Sequence, residues 1–322
     1  MEQQREKMYI GIDMGGTNTA FGIVNAAGVI LHRDAIATEG YAKAEDYVDA
    51  LSVAVMDLVE RSGVKENVVG IGIGAPNGNY DTGVIENAAN IPWAKGIRVP
   101  LAEMITGKTG LPCKLTNDAN AAAVGENVYG VAKGMKDFIV ITLGTGLGSG
   151  IFCNGQLVVG SDGFAGELGH TNIVRNGRRC GCGRYGCLET YCSAPGVART
   201  AMEYLALTNK PSLLREMTDD RPISSKDVFL AAEKGDELAI EIFNYTGRVL
   251  ADALCDFIAF SSPQAIILFG GLAHAGDYLL KPLKEELDKQ IMDIFRGHTE
   301  ILLSNLNDAE AAILGASALA WE

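Results

Sequence analysis

Apolar residues recur along the chain in two patterns, one typical of buried strands and one typical of amphipathic helices. Short continuous apolar runs at 68–73 and 265–269 predict buried strands. Between such runs, apolar residues three and four positions apart predict helices. The predicted helices cover 44–61, 100–109, a segment after Asp118, 197–207, 225–234, 237–260 and 308–321. Strands that alternate with helices indicate an α/β fold with mixed sheets.

An internal repeat organises this pattern. Residues 9–17 and 138–146 each predict a strand that runs into a glycine-rich turn. Each turn is followed by a second strand, at 19–24 and 149–153, and then by a hairpin signal that contains Asn and Gly. The repeat predicts two duplicated lobes with a boundary near Asp118.

Composition narrows the class of protein. The 322 residues exceed one compact core and fit two lobes with a cleft, and an apolar fraction of 48% provides material for both cores. A formal net charge of -13 disfavours binding to nucleic acid. The chain lacks the roughly 18-residue apolar run that a membrane span needs, and its polar start does not resemble a secretory leader. We therefore expect a soluble, cytoplasmic protein that binds neither membrane nor nucleic acid.

The first glycine-rich turn, Asp13-Met14-Gly15-Gly16-Thr17, has the features of a phosphate-binding loop. Its glycines allow the backbone to curl so that N–H groups point at an anion. The carboxylate of Asp13 would repel a bare phosphate, so its presence indicates a Mg²⁺ ion between the two groups. The alternative is a tight hairpin turn without a ligand.

The second turn, Gly144-Thr145-Gly146-Leu147-Gly148, follows the other buried strand of the repeat. A dinucleotide-binding loop would open a helix after its glycines, whereas here the chain continues as a strand. The Gly107-Lys108-Thr109 triplet is not a P-loop, because Ala102 replaces the leading glycine. Two duplicated turns facing each other across a cleft would hold a di- or triphosphate from both sides, which favours ATP over NAD.

A polar cluster, Thr116-Asn117-Asp118, precedes an Ala-rich predicted helix. Asn and Asp are favoured helix N-caps, so capping alone is one interpretation. A cap needs only one such side chain, however. Because an aspartate can orient a sugar hydroxyl and accept its proton during phosphoryl transfer, Asp118 is the candidate catalytic base.

Four potential metal ligands form a compact set. Three cysteines lie within eight residues and a histidine precedes them: His170, Cys180, Cys182 and Cys187. Three thiolates and one imidazole make a closed tetrahedral set, which predicts a structural Zn²⁺ ion. Free buried cysteines, or a set that uses Cys192, are the alternatives. The isolated cysteines stand in apolar surroundings, which predicts buried side chains for Cys113, Cys153 and Cys255.

Two glutamates flank the cysteine-rich segment, Glu167 before it and Glu189 after it. Carboxylates held beside a rigid metal site suit the recognition of neighbouring hydroxyls on a sugar. Solvated surface glutamates are the alternative interpretation.

Together these motifs resemble the ROK family of sugar kinases and repressors, within the actin-like ATPase superfamily. The resemblance covers nearly the whole chain, and the motifs occur in the order of the family. They are the 13–17 loop, Asn117-Asp118, the 144–148 loop, Gly166-Glu167-Leu168-Gly169-His170 and the zinc signature at 180–189.

The resemblance implies a bilobal, ribonuclease H-like α/β fold with duplicated lobes and an inserted zinc knuckle. Residues 1–118 would form the N-terminal lobe, joined by a closing helix at 306–322. Residues 119–305 would form the C-terminal lobe, with the zinc-binding loop at 166–192.

The resemblance also implies a role for each site residue in an ATP-dependent hexose kinase. Asp118 would act as the base toward the primary 6-hydroxyl of the sugar. Further hexose contacts would come from Asn77, Gly78, Asn90, Asn117, Glu167, His170 and Glu189. ATP contacts would come from Asp13, Gly15, Gly16, Thr17, Gly144, Thr145, Gly146, Gly270 and Gly271. His170 would serve both zinc and sugar through its two ring nitrogens.

One loop departs from the family pattern. The chain has Asn77 after Pro76, where many relatives have glycine, so we expect altered contacts on the sugar side. Glucose is the leading substrate by resemblance. N-acetylmannosamine, N-acetylglucosamine, fructose, mannose and allose stay open, because discrimination of epimers depends on where hydroxyl partners lie.

The sequence disfavours two other classes of function, a repressor and a non-catalytic binding module. Repressors of the family carry a helix-turn-helix domain in front, whereas here eight residues precede the first predicted strand. A non-catalytic zinc and nucleotide binding module would leave Asp118 without a purpose. Because relatives are usually homodimers or homotetramers, we expect one of these assemblies.

Overall fold

The computed structural model describes residues 6–218 and 221–321, so the start of the chain at 1–5 and the last residue of the predicted closing segment lie outside the described part. The strands are β1 Met8–Met14, β2 Asn18–Asn25, β3 Ile30–Ala37, β4 Val68–Gly74, β5 Ile85–Glu86, β6 Arg98–Val99, β7 Cys113–Thr116, β8 Phe138–Leu143, β9 Leu147–Cys153, β10 Gln156–Leu157, β11 Ala265–Phe269 and β12 Glu300–Leu303. The helices are α1 Ala44–Ser62, α2 Leu101–Thr109, α3 Asp118–Val128, α4 Glu189–Cys192, α5 Ala194–Leu207, α6 Ser225–Glu233, α7 Glu237–Ser261, α8 Asp277–Gln290 and α9 Asp308–Ala318.

Two five-stranded sheets share one plan. The strand order is β3-β2-β1-β4-β7 in the first sheet and β10-β9-β8-β11-β12 in the second. In the first sheet, β1 pairs antiparallel with β2 and parallel with β4. In the second sheet, β8 pairs parallel with β11, and β11 with β12. The shared order confirms the predicted repeat and the mixed α/β class.

The chain divides into two compact units. Unit 1 comprises the described chain up to residue 135, residues 150–166 and the chain from residue 305 onward. Unit 2 comprises residues 136–149 and 167–304. The predicted boundary near Asp118 falls inside unit 1, at the first residue of α3. None of the helices in the described residues is long and apolar enough to cross a membrane.

All predicted helices are present, with ends within three residues of the prediction. Local signals explain several of these ends. Gly63 ends α1 in the left-handed region with φ of 70°, where glycine carries no steric penalty. Ser224 and Asp227 form a capping box at the start of α6, and the side chain of Asp236 caps α7.

The elements that sequence reasoning missed are short, exposed or interrupted. They are β3, β5, β6, β7, β10, β12, α4 and α8. Strand β3 lies at a sheet edge and is mostly exposed, so it lacks an apolar alternation. Helix α8 contains Pro282, a residue that argues against a helix interior because it lacks an N–H group.

The closing helix α9 packs against the first sheet through glycines. A Cβ atom on Gly11 would lie 1.9 Å from the carbonyl oxygen of Ile313, and one on Gly72 would lie 1.9 Å from that of Ala316. Trp321, just after the helix, stacks on Tyr9 with ring centroids 5.2 Å apart. The backbone of α9 therefore lies closer to β1 and β4 than any residue with a side chain would allow.

Substitution of Gly72 by alanine tests this close packing. We expect Gly72→Ala to lower the free energy of unfolding by about 3 kcal/mol, because a methyl group would overlap the carbonyl of Ala316. The matched control is Gly107→Ala in α2, where an added Cβ would have no heavy atom within 4 Å. That change should stabilise by up to about 1 kcal/mol through helix propensity. Urea unfolding midpoints measure both, and equal stability of the two variants would contradict the packing.

Candidate functional site

Three predicted site segments lie along one edge of the first sheet in unit 1. Strands β1, β4 and β7 run parallel, so their carboxyl ends reach the same edge. Asp13 lies near the end of β1, Asn77 and Gly78 follow β4, and Asn117 and Asp118 follow β7. The topology thus brings together polar residues from distant parts of the chain.

The 13–17 loop is a tight turn between β1 and β2. The backbone N–H of Gly15 donates to the carbonyl of Asn18 at 3.0 Å. A Cβ atom on Gly16 would lie 2.9 Å from the carbonyl oxygen of Asn90, so the loop touches the segment predicted to bind sugar. Only a glycine allows this approach without displacement of the backbone.

Asp13 carries the most informative electrostatic feature of unit 1. Burial raises the pKa of its carboxyl group to about 6, and the nearby charge of Asp118 adds to the shift. Ionisation of Asp13 is thus disfavoured both by desolvation and by the neighbouring carboxylate of Asp118. Such an arrangement suits a bound divalent cation, which would offset the repulsion.

At the start of α3, the residue that caps the helix is not the residue predicted to act as the base. Asn117 is the N-cap residue, and its Oδ1 accepts from the N–H of Asn120 at 2.7 Å. Asp118 is the first helical residue and is exposed, with Oδ1 accepting only from the adjacent N–H of Ala119 at 2.9 Å. Because Asn117 already caps the helix, Asp118 is not needed for that purpose.

The loop after β4 is held by Asn77 and Gly78. Asn77 has a φ of 53°, and its Nδ2 donates to the carbonyls of Glu86 at 3.0 Å and Asn87 at 3.2 Å. A Cβ atom on Gly78 would lie 2.5 Å from the carbonyl oxygen of Thr116. The amide nitrogen of Asn77 therefore supports the backbone of this loop, and Gly78 is required for its close approach to β7.

The second glycine-rich loop lies in unit 2 between β8 and β9. Gly144 N–H donates to the carbonyl of Gly146 at 3.0 Å, and Gly148 N–H donates to Thr142 Oγ1 at 3.1 Å. The N–H of Leu147 donates to Glu189 Oε2 at 3.0 Å. The loop is thus fixed by its own strand and by a carboxylate from α4.

A cavity of about 430 Å³ opens beside this loop in unit 2. Three residues predicted to contact ATP line it, namely Gly144, Thr145 and Gly271. The other lining residues are mainly apolar or aromatic: Leu143, Ala194, Ser225, Lys226, Phe229, Phe243, Leu272, His274 and Ala275. A cavity of this size with aromatic walls and a glycine-rich mouth fits a nucleoside.

Gly270 lies in the turn after β11, directly before the cavity residue Gly271. It has a φ of 100°, and a Cβ atom there would lie 2.9 Å from the carbonyl oxygen of Leu143. The N–H of Leu272 donates to the same carbonyl at 3.1 Å. The turn after β11 is therefore held against the end of β8, which brings the predicted residues Gly270 and Gly271 next to the loop at Gly144.

The predicted metal ligands converge in unit 2. One ligand atom from each of His170, Cys180, Cys182 and Cys187 lies within 4.8 Å of the others. Cys180 Sγ lies 3.6 Å from His170 Nδ1, and Cys182 Sγ lies 3.7 Å from Cys187 Sγ. Burial, followed by the neighbouring cysteine side chains, raises the pKa of Cys180 to about 12. A divalent cation would offset this and favour the thiolates, so the donor set is compatible with zinc.

Cys192 does not belong to this cluster. Its fully buried Sγ donates to the carbonyl of Thr246 at 3.6 Å, so the alternative ligand set that uses Cys192 is wrong. The prediction that all three isolated cysteines are buried is also wrong. Cys153, at the end of β9 beside a hairpin turn, is exposed, and Cys113 and Cys255 are partly exposed.

The two predicted glutamates make different contacts in unit 2. Glu167 Oε2 lies 3.9 Å from His170 Nε2, so the two ring nitrogens of His170 face different partners. Glu189 connects the cluster of predicted metal ligands with the second glycine-rich loop, because Oε1 lies 3.7 Å from Cys180 Sγ and Oε2 accepts from the N–H of Leu147. Glu189 is therefore not a solvated surface residue.

Arg178 holds the cysteine-rich segment at 166–192 in place, a role that was not predicted from the sequence. Its buried guanidinium donates to the carbonyl of Thr190 at 2.7 Å and to Thr200 Oγ1 at 2.8 Å, and pairs with Glu203. It also lies 4.4 Å from the ring centroid of Tyr191. A lone arginine beside the cysteines gave no sequence signal, since its partners lie on helices further along the chain.

The chain is similar to known proteins over nearly its whole length. The model of the ROK family matches residues 9–322. A glucokinase of Halalkalibacterium halodurans is 34% identical over 317 residues, which span 96% of this chain and 94% of that protein. An N-acetylmannosamine kinase of Escherichia coli is 32% identical over 97% of both chains. The structure of a ROK family glucokinase from Streptomyces griseus in complex with glucose and AMPPNP aligns with a TM-score of 0.78 at 35% identity, covering 97% of this chain and 98% of that one.

Replacement of Asp13 by asparagine tests whether the ionised carboxylate of Asp13 lowers the free energy of unfolding. The pKa of Asp13 is about 6 in the folded protein against an ordinary value of 3.8, so folding binds protons between these values and stability falls as pH rises through this window. At pH 7.5 we expect Asp13→Asn to be more stable by about 2 kcal/mol, and near pH 4 the difference should vanish.

Denaturant midpoints at the two pH values measure this difference. Asp293→Asn is the control, because that side chain is 94% exposed. An Asp13→Asn variant that is less stable than the wild type at pH 7.5, or equally affected at both pH values, would contradict the prediction that the ionised Asp13 side chain destabilises the folded protein.

Proposed function

The chain belongs to the ROK family, and from this premise we propose that it is an ATP-dependent hexose kinase that phosphorylates the 6-hydroxyl of glucose. The observation that carries the proposal is the exposed carboxylate of Asp118, held next to Asp13 at the sheet edge where the 13–17 loop begins. The relatives named as sugar kinases support the reaction class.

Asp118 is assigned as the base. A sugar hydroxyl is a weak nucleophile, and an aspartate within hydrogen-bond reach orients it and accepts its proton as the phosphoryl group transfers. The first turn of α3 holds this carboxylate, and its N-cap bond is supplied by Asn117. Asp118 therefore stays available to the acceptor.

The phosphates of ATP are assigned to the backbone N–H groups of the two glycine-rich loops, at 13–17 and at 144–146. Mg²⁺ supplies charge neutralisation of the phosphates when bound, and Asp13 holds its water shell or the ion itself. The nucleoside is assigned to the 430 Å³ cavity of unit 2, with Gly271 at its wall and Gly270 in the same turn.

The residues assigned to the hexose are given for each unit by itself. In unit 1 they are Asn90, Asn117, Asp118 and the loop of Asn77 and Gly78. In unit 2 they are Glu167, His170 and Glu189. For Asn77 the structure favours a supporting role, since its amide nitrogen already donates to two backbone carbonyls.

Zinc is assigned to His170, Cys180, Cys182 and Cys187. A closed set of four protein ligands leaves no open position, so the ion holds the 166–192 segment in place. His170 keeps Nδ1 toward the cysteines and Nε2 on the side of Glu167. The orientation of this ring thus fixes which nitrogen is left for the sugar.

N-acetylmannosamine is the second candidate acceptor, because a relative that bears that name is 32% identical over 97% of the chain. Glucose is preferred because the glucokinase relative is more similar, at 34% identity, and the aligned ROK glucokinase complex contains glucose. The cytoplasmic location and the homodimeric or homotetrameric state stay predictions.

The function is tested by turnover. The wild-type chain should release ADP with Mg-ATP and glucose, and less efficiently with N-acetylmannosamine, N-acetylglucosamine, fructose, mannose and allose. Asp118→Asn should lower kcat at least about 10³-fold with little change in the KM for sugar, because the base is lost while the hydrogen-bonding shape is kept.

A coupled ADP-release assay measures these rates, with Asp293→Asn as the control at an exposed site. Absence of turnover with every sugar of the panel would overturn the kinase assignment. Near-full activity of Asp118→Asn would remove only its role as base.

The zinc assignment is tested by metal content. The purified chain should hold about one zinc ion, and Cys187→Ser should lose it because three ligands remain. Cys192→Ala is the matched control, as another buried cysteine in the same unit that lies outside the ligand cluster. Elemental analysis with thermal unfolding measures both, and a Cys187→Ser variant with full zinc content and unchanged stability would refute the assignment.

A further inference from the structure

A fully buried polar cluster lies in unit 1 behind the first glycine-rich loop. We call it the Thr38 cluster; its members are Thr19, Thr38, Tyr47 and Trp93. The first three are 0% exposed and Trp93 is 5% exposed. Thr19 Oγ1 lies 2.8 Å from Thr38 Oγ1 and 2.8 Å from the hydroxyl of Tyr47. The indole Nε1 of Trp93 donates to the carbonyl of Thr38 at 2.8 Å.

Thr38 connects two segments with different proposed substrates. Its N–H donates to the carbonyl of Thr17, the last residue of the 13–17 loop, at 2.8 Å. Its carbonyl accepts from the indole N–H of Trp93. Trp93 lies three residues after Asn90, in a short 3₁₀ turn. The loop and this segment also touch directly at Gly16 and Asn90. The backbone of Thr38 is thus bonded to the proposed phosphate loop through its N–H group, and to the segment that follows Asn90 through its carbonyl group.

Simple core packing does not explain this cluster. Valine and phenylalanine would fill nearly the same volume as threonine and tyrosine without the desolvation cost of buried hydroxyls. A buried polar network is stabilising only when its groups are bonded, and then it fixes one arrangement of the chain. Here the rings of Tyr47 and Trp93 also stack with centroids 4.5 Å apart, which restricts the indole that reaches Thr38.

We propose that Thr38 is a positioning residue that aligns the 13–17 phosphate loop with the Asn90 segment, so that the affinities for nucleotide and hexose depend on the same buried bonds. Because this rests on the proposed function, its test must separate the two. None of the four cluster residues is assigned to a substrate, so a change in both affinities would come from altered alignment.

Two pairs of variants test the role. Trp93→Phe removes the N–H that reaches Thr38 but keeps a ring on Tyr47, and Trp321→Phe is its control. Trp321 also stacks on a tyrosine, Tyr9, and donates its N–H to the hydroxyl of Tyr129 at 2.9 Å, and both of these partners lie outside the two segments. Tyr47→Phe removes one cluster hydroxyl, and its control is Ser52→Ala on the same helix. Ser52 is buried and its hydroxyl has no hydrogen-bond partner within the described chain.

We expect Trp93→Phe and Tyr47→Phe to raise KM for glucose and for Mg-ATP by about fivefold each, the loss of roughly one hydrogen bond. The two controls should leave both KM values within about twofold. Thr38→Ser, which keeps the hydroxyl and both backbone bonds, should behave as the controls do. If Trp93→Phe and Tyr47→Phe lower the melting temperature but change neither KM, or change only one, the cluster is merely structural and the proposal fails.

Direct binding keeps this result separate from that of the proposed function. Wild-type turnover reports on the kinase assignment alone. The ratio of variant to wild-type dissociation constants, measured by calorimetry with glucose and with Mg-AMPPNP, reports on Thr38. An inactive wild type whose affinity for both ligands still falls in Trp93→Phe would overturn the kinase assignment and support the alignment, whereas unchanged dissociation constants would overturn the alignment alone.

Discussion

The half-buried carboxylate of Asp13, placed next to the exposed carboxylate of Asp118, is the interaction on which the proposed site in unit 1 depends. Parallel strands deliver Asp13 and Asp118 to the same sheet edge, where burial and mutual repulsion raise the pKa of Asp13 to about 6. Such a group lowers the stability of the folded protein, and carboxylates with perturbed pKa values cluster at functional sites. In the proposed kinase the cation of Mg-ATP would offset this repulsion, so the free protein favours a ligand that brings a divalent cation.

Rigid support surrounds this pair. Glycines let α9 lie directly on β1 and β4, and Gly16 lets the first loop touch Asn90. In unit 2 the carboxylate of Glu189 links the cluster of predicted metal ligands to the second loop, while Arg178 bonds the cysteine-rich segment to α5. Proposed ligand-binding groups are thus held by backbone contacts and buried bonds, which suits a reaction whose catalysis consists mainly of positioning and electrostatics.

The sequence allowed prediction of those features whose signal is local. Glycine-rich turns after apolar strands, the cysteine spacing and the Asn117-Asp118 pair each carry their chemistry within a few residues. Helix α8 was missed because Pro282 interrupts its pattern, and β3 because an exposed edge strand has no apolar alternation. The cavity residues Phe229 and Phe243 and the Thr38 cluster were missed for another reason: they are ordinary residues far apart in the chain, and only the fold brings them together. The sugar contact of Asn77 stays a prediction, and the two backbone carbonyls to which its amide nitrogen donates had no signal in the sequence.

The most direct measurement of this account is the titration of the Asp13 side chain by carbon-13 NMR, in the free protein and with saturating Mg-AMPPNP. The account predicts a pKa of about 6 in the free protein, and a value below about 4 once a divalent cation lies beside the carboxylate. An ordinary pKa in the free protein, or an elevated one that Mg-AMPPNP leaves unchanged, would contradict the claim that this buried charge is held in place for the metal–nucleotide complex.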